Sequence, residues 1–416
     1  MKTAFHTRKG FTLVEMLVSV AIVVLLLTIM LSMITATRNT WTFTRSRIEQ
    51  FQDSREAFES ITRRLSQATL NTYWDYVYAN GTNNAPTGYE RQSELRFVSG
   101  ASSQLLQNTN NGALDFPTHS VFFQAPLGFV TSGTYSQLKG LLNTWGYFVQ
   151  FGSDASLRPP FINSMTNGNQ QSTNQPALRY RFRLMELMQP SESLTVYKYT
   201  NGETVYSGGG ISNTYNGQSW YINPLNFALS AQQSQNGQGT GTDPAYTRVL
   251  AENIVALIIL PKLAPDQIAS LNQNGASSQV TDTSLVSPNN PDHYLYDSSN
   301  GTIGGGNDMG QNITIPYLDP LNQLPPVVQV TLVAVDEPTY SRFQKTQTDP
   351  TAMPTSLGLT NLFQNAGTSS AVTTGQSYTS DLNTLETTLQ NHSINYRVYS
   401  TNVSIKDAKW SAVQSH

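Results

Sequence analysis

The interval between Gly10 and Gly81 contains neither glycine nor proline, and this lack of helix breakers constrains the fold more than any other feature. Residues 11–34, near its start, are apolar apart from a few hydroxyl side chains and Glu15. As a helix, these 24 residues would reach roughly 36 Å, which exceeds the ~30 Å hydrocarbon core of a bilayer. We therefore predict that this segment crosses a membrane.

The later part of the interval has the pattern of an amphipathic helix. Apolar side chains recur every three or four residues, at Ile48, Phe51, Phe58, Ile61, Leu65 and Ala68. Polar side chains fill the other side, and the apolar side needs a packing partner. We predict an α+β fold in which one long amino-terminal helix packs on an antiparallel β-sheet that has long polar loops.

Short β-rich segments predict the strands of this sheet. They are residues 93–98, 120–124, 146–151, 179–187, 194–199, 220–222, 253–260, 327–335 and 393–405. Residues 254–260 show no polar alternation, so we expect a central strand covered on both faces, with the long helix on one of them. Residues 381–391 predict a second, short helix. Segments rich in Gly, Asn, Ser and Thr predict loops at residues 153–176, 200–218, 232–246, 264–323 and 339–378.

The carboxy-terminal strand segment changes phase. Its apolar positions are Ile394, Tyr396 and Val398, and then Val403 and Ile405, one step out of register. Since side chains alternate between the faces of a strand, keeping both sets in the core requires one extra residue. We therefore predict a β-bulge or break within residues 399–402.

The composition agrees with an exported structural protein. Charged residues make up 12% of the chain, about half the usual ~25%, so Asn, Gln, Ser, Thr and Gly must form much of the surface. The chain has no cysteine, which excludes disulfides and thiolate chemistry. Net charge is −3, and residues 1–70 carry nine of the 24 basic side chains. No basic field indicates a nucleic-acid partner.

Glu15 places a carboxylate inside the apolar segment, at a cost of up to ~3 kcal/mol near the centre of a bilayer and less at its edge. Lys9, Gly10 and Phe11 form a processing-like junction that precedes the segment, so cleavage would leave the segment on the mature protein. Two interpretations remain open. Glu15 either reaches water at the membrane edge, or pairs with the new amino terminus of a neighbouring subunit and sets the stagger between subunits.

The sequence Gly10-Phe11-Thr12-Leu13-Val14-Glu15, followed by the apolar segment, resembles the class III signal of type IV pilins and type II secretion pseudopilins. The resemblance implies that a prepilin peptidase cleaves after Gly10 and methylates Phe11. It also implies that Glu15 acts in assembly with other pilin or pseudopilin subunits. Many major pilins have a proline within the span, and this chain has none.

The resemblance also implies a domain plan and a location. Residues 1–10 would be the leader, 11–34 the transmembrane and filament-core helix, 35–72 the amphipathic helix, and 73–416 an extracytoplasmic β-rich head. The protein would cross the inner membrane once, with its amino terminus cytoplasmic and its head periplasmic, and would then enter a pilus or pseudopilus. Basic residues flank the span on both sides, so charge alone barely distinguishes the orientations.

The remainder of the chain is similar to a narrower group, protein C of the Verru_Chthon cassette, which is distantly like J-type minor pseudopilins and W-type minor pilins. The similarity is carried by residues 63–76, 91–100, 121–128, 179–187 and 250–254. It implies a structural minor pilin or pseudopilin of a type IV pilus-like or type II secretion-like apparatus. It implies no substrate and no cofactor.

Catalytic motifs are poorly represented. Histidine occurs only at positions 6, 119, 293, 392 and 416, without a His-Glu-x-x-His, Gly-x-Ser-x-Gly or P-loop pattern. His119 and Ser120 are adjacent in a predicted strand and would point to opposite faces, so we favour a structural histidine. We predict no enzyme, and a membrane-anchored periplasmic enzyme is the least supported alternative. Asp297, Asn300 and Asp308 are weak candidates for calcium ligands, and a turn is the favoured interpretation.

Aromatic residues follow the predicted helix directly, at Tyr73, Trp74, Tyr76 and Tyr78. They could form a stacking platform for a glycan, which would favour a tip adhesin or glycan-binding protein on a filament. They could instead anchor the helix end in the core. We favour packing, because large aromatic side chains usually close cores where elements change direction.

Overall fold

The computed structural model describes residues 12–78, 85–106, 116–131, 133–135, 137–138, 140–155, 157–159, 162, 178–194, 196, 205–207, 210–212, 220–221, 224, 246–266, 294–299, 320–364 and 374–409. The chain divides into two compact units, residues 1–52 and residues 53–416. The helices described are α1 (Leu13–Leu65), α2 (Ser102–Leu105), α3 (Glu337–Thr346), α4 (Met353–Ser356) and α5 (Thr374–Asn391).

Helix α1 confirms the predicted long helix, which ends at Leu65 rather than at residue 72. It continues through threonines, which are weak helix formers, and their hydroxyls bond to carbonyl oxygens one turn earlier. Thr35 donates to Leu31 O and Thr37 to Met33 O, both at 2.8 Å, and Thr40 donates to Ala36 O at 3.0 Å. The division at residues 34/35 and 72/73 stays a prediction.

The larger sheet has six antiparallel strands in the order β11-β3-β4-β5-β6-β9. Its strands are β3 (Val98–Ala101), β4 (His119–Ala125), β5 (Asn143–Ser153), β6 (Tyr180–Gln189), β9 (Thr247–Glu252) and β11 (Tyr296–Asp297). Three predicted segments, 120–124, 146–151 and 179–187, lie in β4, β5 and β6. The predicted strand at residues 93–98 is displaced, since β3 begins at Val98.

A second sheet has three antiparallel strands in the order β10-β12-β13, namely β10 (Ile254–Lys262), β12 (Val327–Val335) and β13 (Tyr396–Ser404). The prediction that residues 254–260 form the central strand is wrong, because β12 is central and β10 lies at the edge. Strand β10 is buried because β4, β5 and β6 of the larger sheet contact it. At its free edge, the N–H groups of Leu257 and Ile259 donate to Thr118 Oγ1 and His119 Nδ1, each at 3.1 Å.

Strand β13 contradicts the predicted bulge. Residues 396–404 pair with β12 in one-to-one register without interruption. No extra residue is needed, because elements contact both faces of β13. The Tyr399 ring lies 5.8 Å from that of Phe58 in α1, whereas the Tyr396 hydroxyl on the other face accepts from Gln390 Nε2 of α5 at 2.8 Å.

Several elements were not predicted. Helices α3 and α4 lie in the predicted loop 339–378, and Asp336 caps α3 by accepting from the Thr339 N–H at 3.3 Å. The predicted helix 381–391 begins earlier, at Thr374. Strand β11 lies in the predicted loop 264–323, and the small sheet of β7 (Val205–Ser207) and β8 (Gly210–Ser212) lies in the predicted loop 200–218.

Two predicted strands are not found in their described residues. Leu194 and Val196 are outside any strand, and Trp220 and Tyr221 form a turn. The remaining strands, β1 (Tyr73–Tyr78) and β2 (Pro86–Gln92), pair with each other as a separate antiparallel sheet.

Candidate assembly site and head surfaces

The start of α1 holds Glu15 in a capping box. Thr12 N–H donates to Glu15 Oε2 at 3.0 Å, and the Thr12 hydroxyl donates to the same oxygen at 3.1 Å. In return, Glu15 N–H donates to Thr12 Oγ1 at 3.3 Å. Glu15 therefore has a partner in its own helix, which neither sequence interpretation considered, although Thr12-x-x-Glu15 is a recognisable capping pattern. Gly10 and Phe11 lie outside the described residues.

The side chains of residues 13–34 are exposed. Helix α1 is long and apolar enough to cross a membrane by its length and composition. An exposed apolar surface of this extent calls for lipid or other apolar helices around it.

In the head, Glu186 on β6 is the centre of an ion cluster. Its side chain is fully buried and pairs with Arg64 of α1 and with Arg248 of β9, whose Nη2 lies 2.6 Å from Oε1. Arg64 also donates to the Tyr147 hydroxyl at 2.9 Å, and its guanidinium lies 4.1 Å from the centre of the Trp145 ring. Burial, together with the Glu186 charge, raises the pKa of Tyr147, which therefore stays protonated. The cluster joins α1 to the larger sheet.

The candidate calcium ligand Asp297 is buried and engaged with Arg96. Arg96 Nε donates to Asp297 Oδ1 at 2.8 Å, and a second guanidinium nitrogen contacts Oδ2. Burial raises the pKa of Asp297, but Arg96 and the Ser299 N–H outweigh burial and lower the pKa overall. The carboxylate thus has a protein cation in the place that calcium would take. Asn300 and Asp308 lie outside the described residues, and the residues that are described contain no acidic or histidine cluster suited to a metal.

His119 is fully buried between the two sheets. Nε2 lies 2.8 Å from Phe363 O, so it must carry the proton, and Nδ1 then accepts from Ile259 N–H. Burial lowers the pKa of His119 to about 4, which keeps the ring neutral. Both ring nitrogens thus serve backbone groups, in agreement with a structural role.

The aromatic residues after α1 contradict the favoured prediction of packing. Strands β1 and β2 form a two-stranded sheet, here called the aromatic ribbon, and its Trp74, Tyr76 and Tyr89 side chains are 58%, 49% and 57% exposed. Tyr73 is also exposed, and the burial of Tyr78 is not described. Among the described strands, β1 pairs with β2 and with neither larger sheet, and its Tyr73, Trp74 and Tyr76 side chains stay exposed. Sequence reasoning missed the contributions of Tyr89 and Arg91 from β2.

Comparison with protein families supports the interpretation of the amino terminus as a prepilin signal. A family model for the prokaryotic N-terminal methylation motif matches residues 6–31, which include Gly10, Phe11 and Glu15. Comparisons with curated proteins and with solved structures find no match. The motif, together with a long helix followed by antiparallel sheets, supports a type IV pilin-like protein that is processed as a prepilin. The apolar helix supports membrane anchoring.

Proposed function

We propose that this chain is a structural subunit, a minor pilin or pseudopilin, of a type IV pilus-like or type II secretion-like apparatus. The observation that carries the proposal is the match to the methylation motif at residues 6–31, which includes the apolar start of α1, where the side chains are exposed. A prepilin peptidase cleaves after Gly10 and methylates Phe11. The head is not an enzyme.

Two environments account for the exposed apolar side chains of α1. Before assembly the segment lies in the inner membrane, with the amino terminus cytoplasmic and the head periplasmic. After assembly, helices of other pilin or pseudopilin subunits replace the lipid. Glu15 then exchanges its capping partner Thr12 for the ammonium group of a neighbouring Phe11, and the strength of this pair in an apolar bundle fixes the stagger.

Intact-mass measurement of protein purified from membranes tests the processing step. The wild-type chain should begin at Phe11 and carry one added methyl group. Gly10→Leu should retain residues 1–10, because a side chain at this position blocks close approach of the peptidase. Ala4→Leu, a similar change within the leader, is the control and should be processed. A wild-type protein that keeps its leader would refute the proposal.

A second measurement separates membrane insertion from assembly. Glu15→Leu should insert normally, because it removes a charge from the apolar segment, but should be lost from sheared filaments. Thr12→Ala removes the hydroxyl half of the capping box and keeps the carboxylate, so it should still assemble. If Glu15→Leu enters filaments as efficiently as wild type, Glu15 has no role in subunit pairing.

The alternative of a tip adhesin stays a prediction. The observation that favours it is the exposure of Trp74, Tyr76 and Tyr89 on the aromatic ribbon.

A further inference from the structure

The two faces of the aromatic ribbon differ in chemistry. The register pairs Trp74 with Arg91 and Tyr76 with Tyr89, and directly paired residues share a face. Tyr73, Asp75, Glu90 and Gln92 occupy the opposite face, because side chains alternate along a strand. In the described part of the ribbon, one face thus carries aromatic rings and one guanidinium, whereas both carboxylates are on the other face.

The aromatic face is held in place before any ligand binds. The guanidinium of Arg91 lies 5.5 Å from the centre of the Trp74 ring, and Arg91 Nη1 donates to Gln323 Oε1 at 3.1 Å and Lys409 O at 3.0 Å. The rings of Tyr76 and Tyr89 lie 5.0 Å apart across the strands. These contacts reduce the side-chain entropy that a ligand would otherwise have to overcome.

We propose that this face binds a polysaccharide of β-linked hexopyranose units with equatorial hydroxyls. Such sugars present axial C–H groups, whose partial positive charge complements the negative faces of aromatic rings. Rings at positions i and i+2 of a strand are spaced by ~6.7 Å, and paired rings by about 5 Å, so neighbouring rings can contact successive sugar units. The phenol hydroxyls and the indole N–H supply hydrogen bonds to sugar hydroxyls. The charged side chain on the described part of this face is Arg91, which already donates to Gln323 and Lys409, so a neutral chain fits this face better than a charged one.

The size of the face argues against a protein partner. Three aromatic side chains that bury 150–250 Å² each when fully enclosed, and that are about half exposed here, offer roughly 300–400 Å². A stable protein interface needs about 800 Å² on each side. A short segment of polysaccharide, by contrast, can bind by stacking on a few aromatic rings.

Isothermal titration of the mature full-length protein in detergent, with cellohexaose and chitohexaose as probes, tests the site. Wild type should bind at least one probe, and Trp74→Ala should weaken that binding by about tenfold or more. Trp74→Phe should restore most of it. Tyr73→Ala is the matched control, because Tyr73 lies on the same strand and is 49% exposed but points to the opposite face; it should change affinity by less than about twofold.

Three outcomes would overturn the inference: no binding of either probe by wild type, equal losses in Tyr73→Ala and Trp74→Ala, or exclusion of Trp74→Ala from filaments. The last outcome would make the ribbon a contact between subunits. Binding of the polysaccharide does not depend on the proposed pilin-like function; only the location of the binding face on a filament does. Cleavage before Phe11 is measured on the same samples, so failure of glycan binding and failure of maturation are distinguishable.

Discussion

Arg64 on the long helix and Glu186 on β6 form an ion pair in which the Glu186 side chain has no exposed surface. Arg248 reaches the same carboxylate from β9, so one buried acid connects three elements of the head. Such a carboxylate is tolerated only while its cationic partners remain, because a buried charge without compensation is expensive.

Removal of Arg64 should therefore destabilise the head strongly. We expect Arg64→Met to lower the free energy of unfolding by about 2–3 kcal/mol, less than the ~3–5 kcal/mol of an uncompensated buried charge, because Arg248 still pairs with Glu186. Arg55→Met is the matched control: it breaks the exposed pair with Glu59 on the same helix and should leave the free energy of unfolding almost unchanged. Denaturant unfolding measures both values. Similar losses in the two variants would show that burial does not strengthen the Arg64–Glu186 pair.

His119 should make the head sensitive to acid. Its pKa is about 4 in the folded protein, below the ordinary value of 6.5, so the unfolded chain binds the proton more readily. Its contribution to stability is therefore complete above pH 6.5 and is lost as pH falls towards 4, by roughly 3 kcal/mol in total. His119→Gln keeps a donor and an acceptor without titrating, and should flatten this part of the stability curve. Denaturant unfolding of wild type and His119→Gln at several pH values measures the difference.

Gly146 should tolerate no side chain. A Cβ at this position would lie 2.3 Å from Phe122 Cδ1 and 3.3 Å from Leu187 Cβ, inside a buried sheet. Gly146→Ala should therefore lower the free energy of unfolding by roughly 1–3 kcal/mol through overpacking. Gly133→Ala is the control, because no atom lies within 4 Å of its added Cβ. Equal melting temperatures for the two variants would contradict the observed packing around Phe122.

Deletion of the chain from Ser393 onwards should unfold the head. The deletion removes β13, whose Val403 is buried and whose Tyr399 contacts Phe58 of α1. Differential scanning calorimetry should show no cooperative transition, whereas a variant ending at Lys409 controls for shortening of the chain. A cooperative melt in the larger deletion would assign β13 a peripheral role.

The helices and strands that were predicted correctly are those whose sequence pattern matches their burial in the structure. The absence of glycine and proline predicted α1, and compact apolar segments predicted β4, β5, β6 and β12. The position of β10 within its sheet was predicted wrongly, because its sequence does not reveal that Thr118 and His119, at the start of β4, bond to its outer edge. The prediction of a bulge in β13 was wrong for a related reason. The predicted bulge assumed that β13 has one buried face. In the structure α1 contacts one face of β13 and α5 contacts the other.

The two candidate sites were predicted from the sequence to different extents. The motif around Gly10 and Glu15 is local, so the sequence was sufficient to locate it. The aromatic ribbon could not be located in this way, because it depends on which strands pair. Tyr89 and Arg91 join the aromatic face only through their register with Tyr76 and Trp74.

The position of β13 imposes an order on folding. The Thr69 hydroxyl bonds to Asp407 Oδ2 across 338 residues of sequence, and Lys406 N–H bonds to Ser66 O. A ribosome makes α1 long before β13, so Phe58 cannot contact Tyr399 until the residues between them have been synthesised. Contacts between residues so far apart in sequence form slowly. Until they form, the apolar face of α1 is exposed and can make non-native contacts. The packing of α1 on β13 can therefore be completed only late in folding.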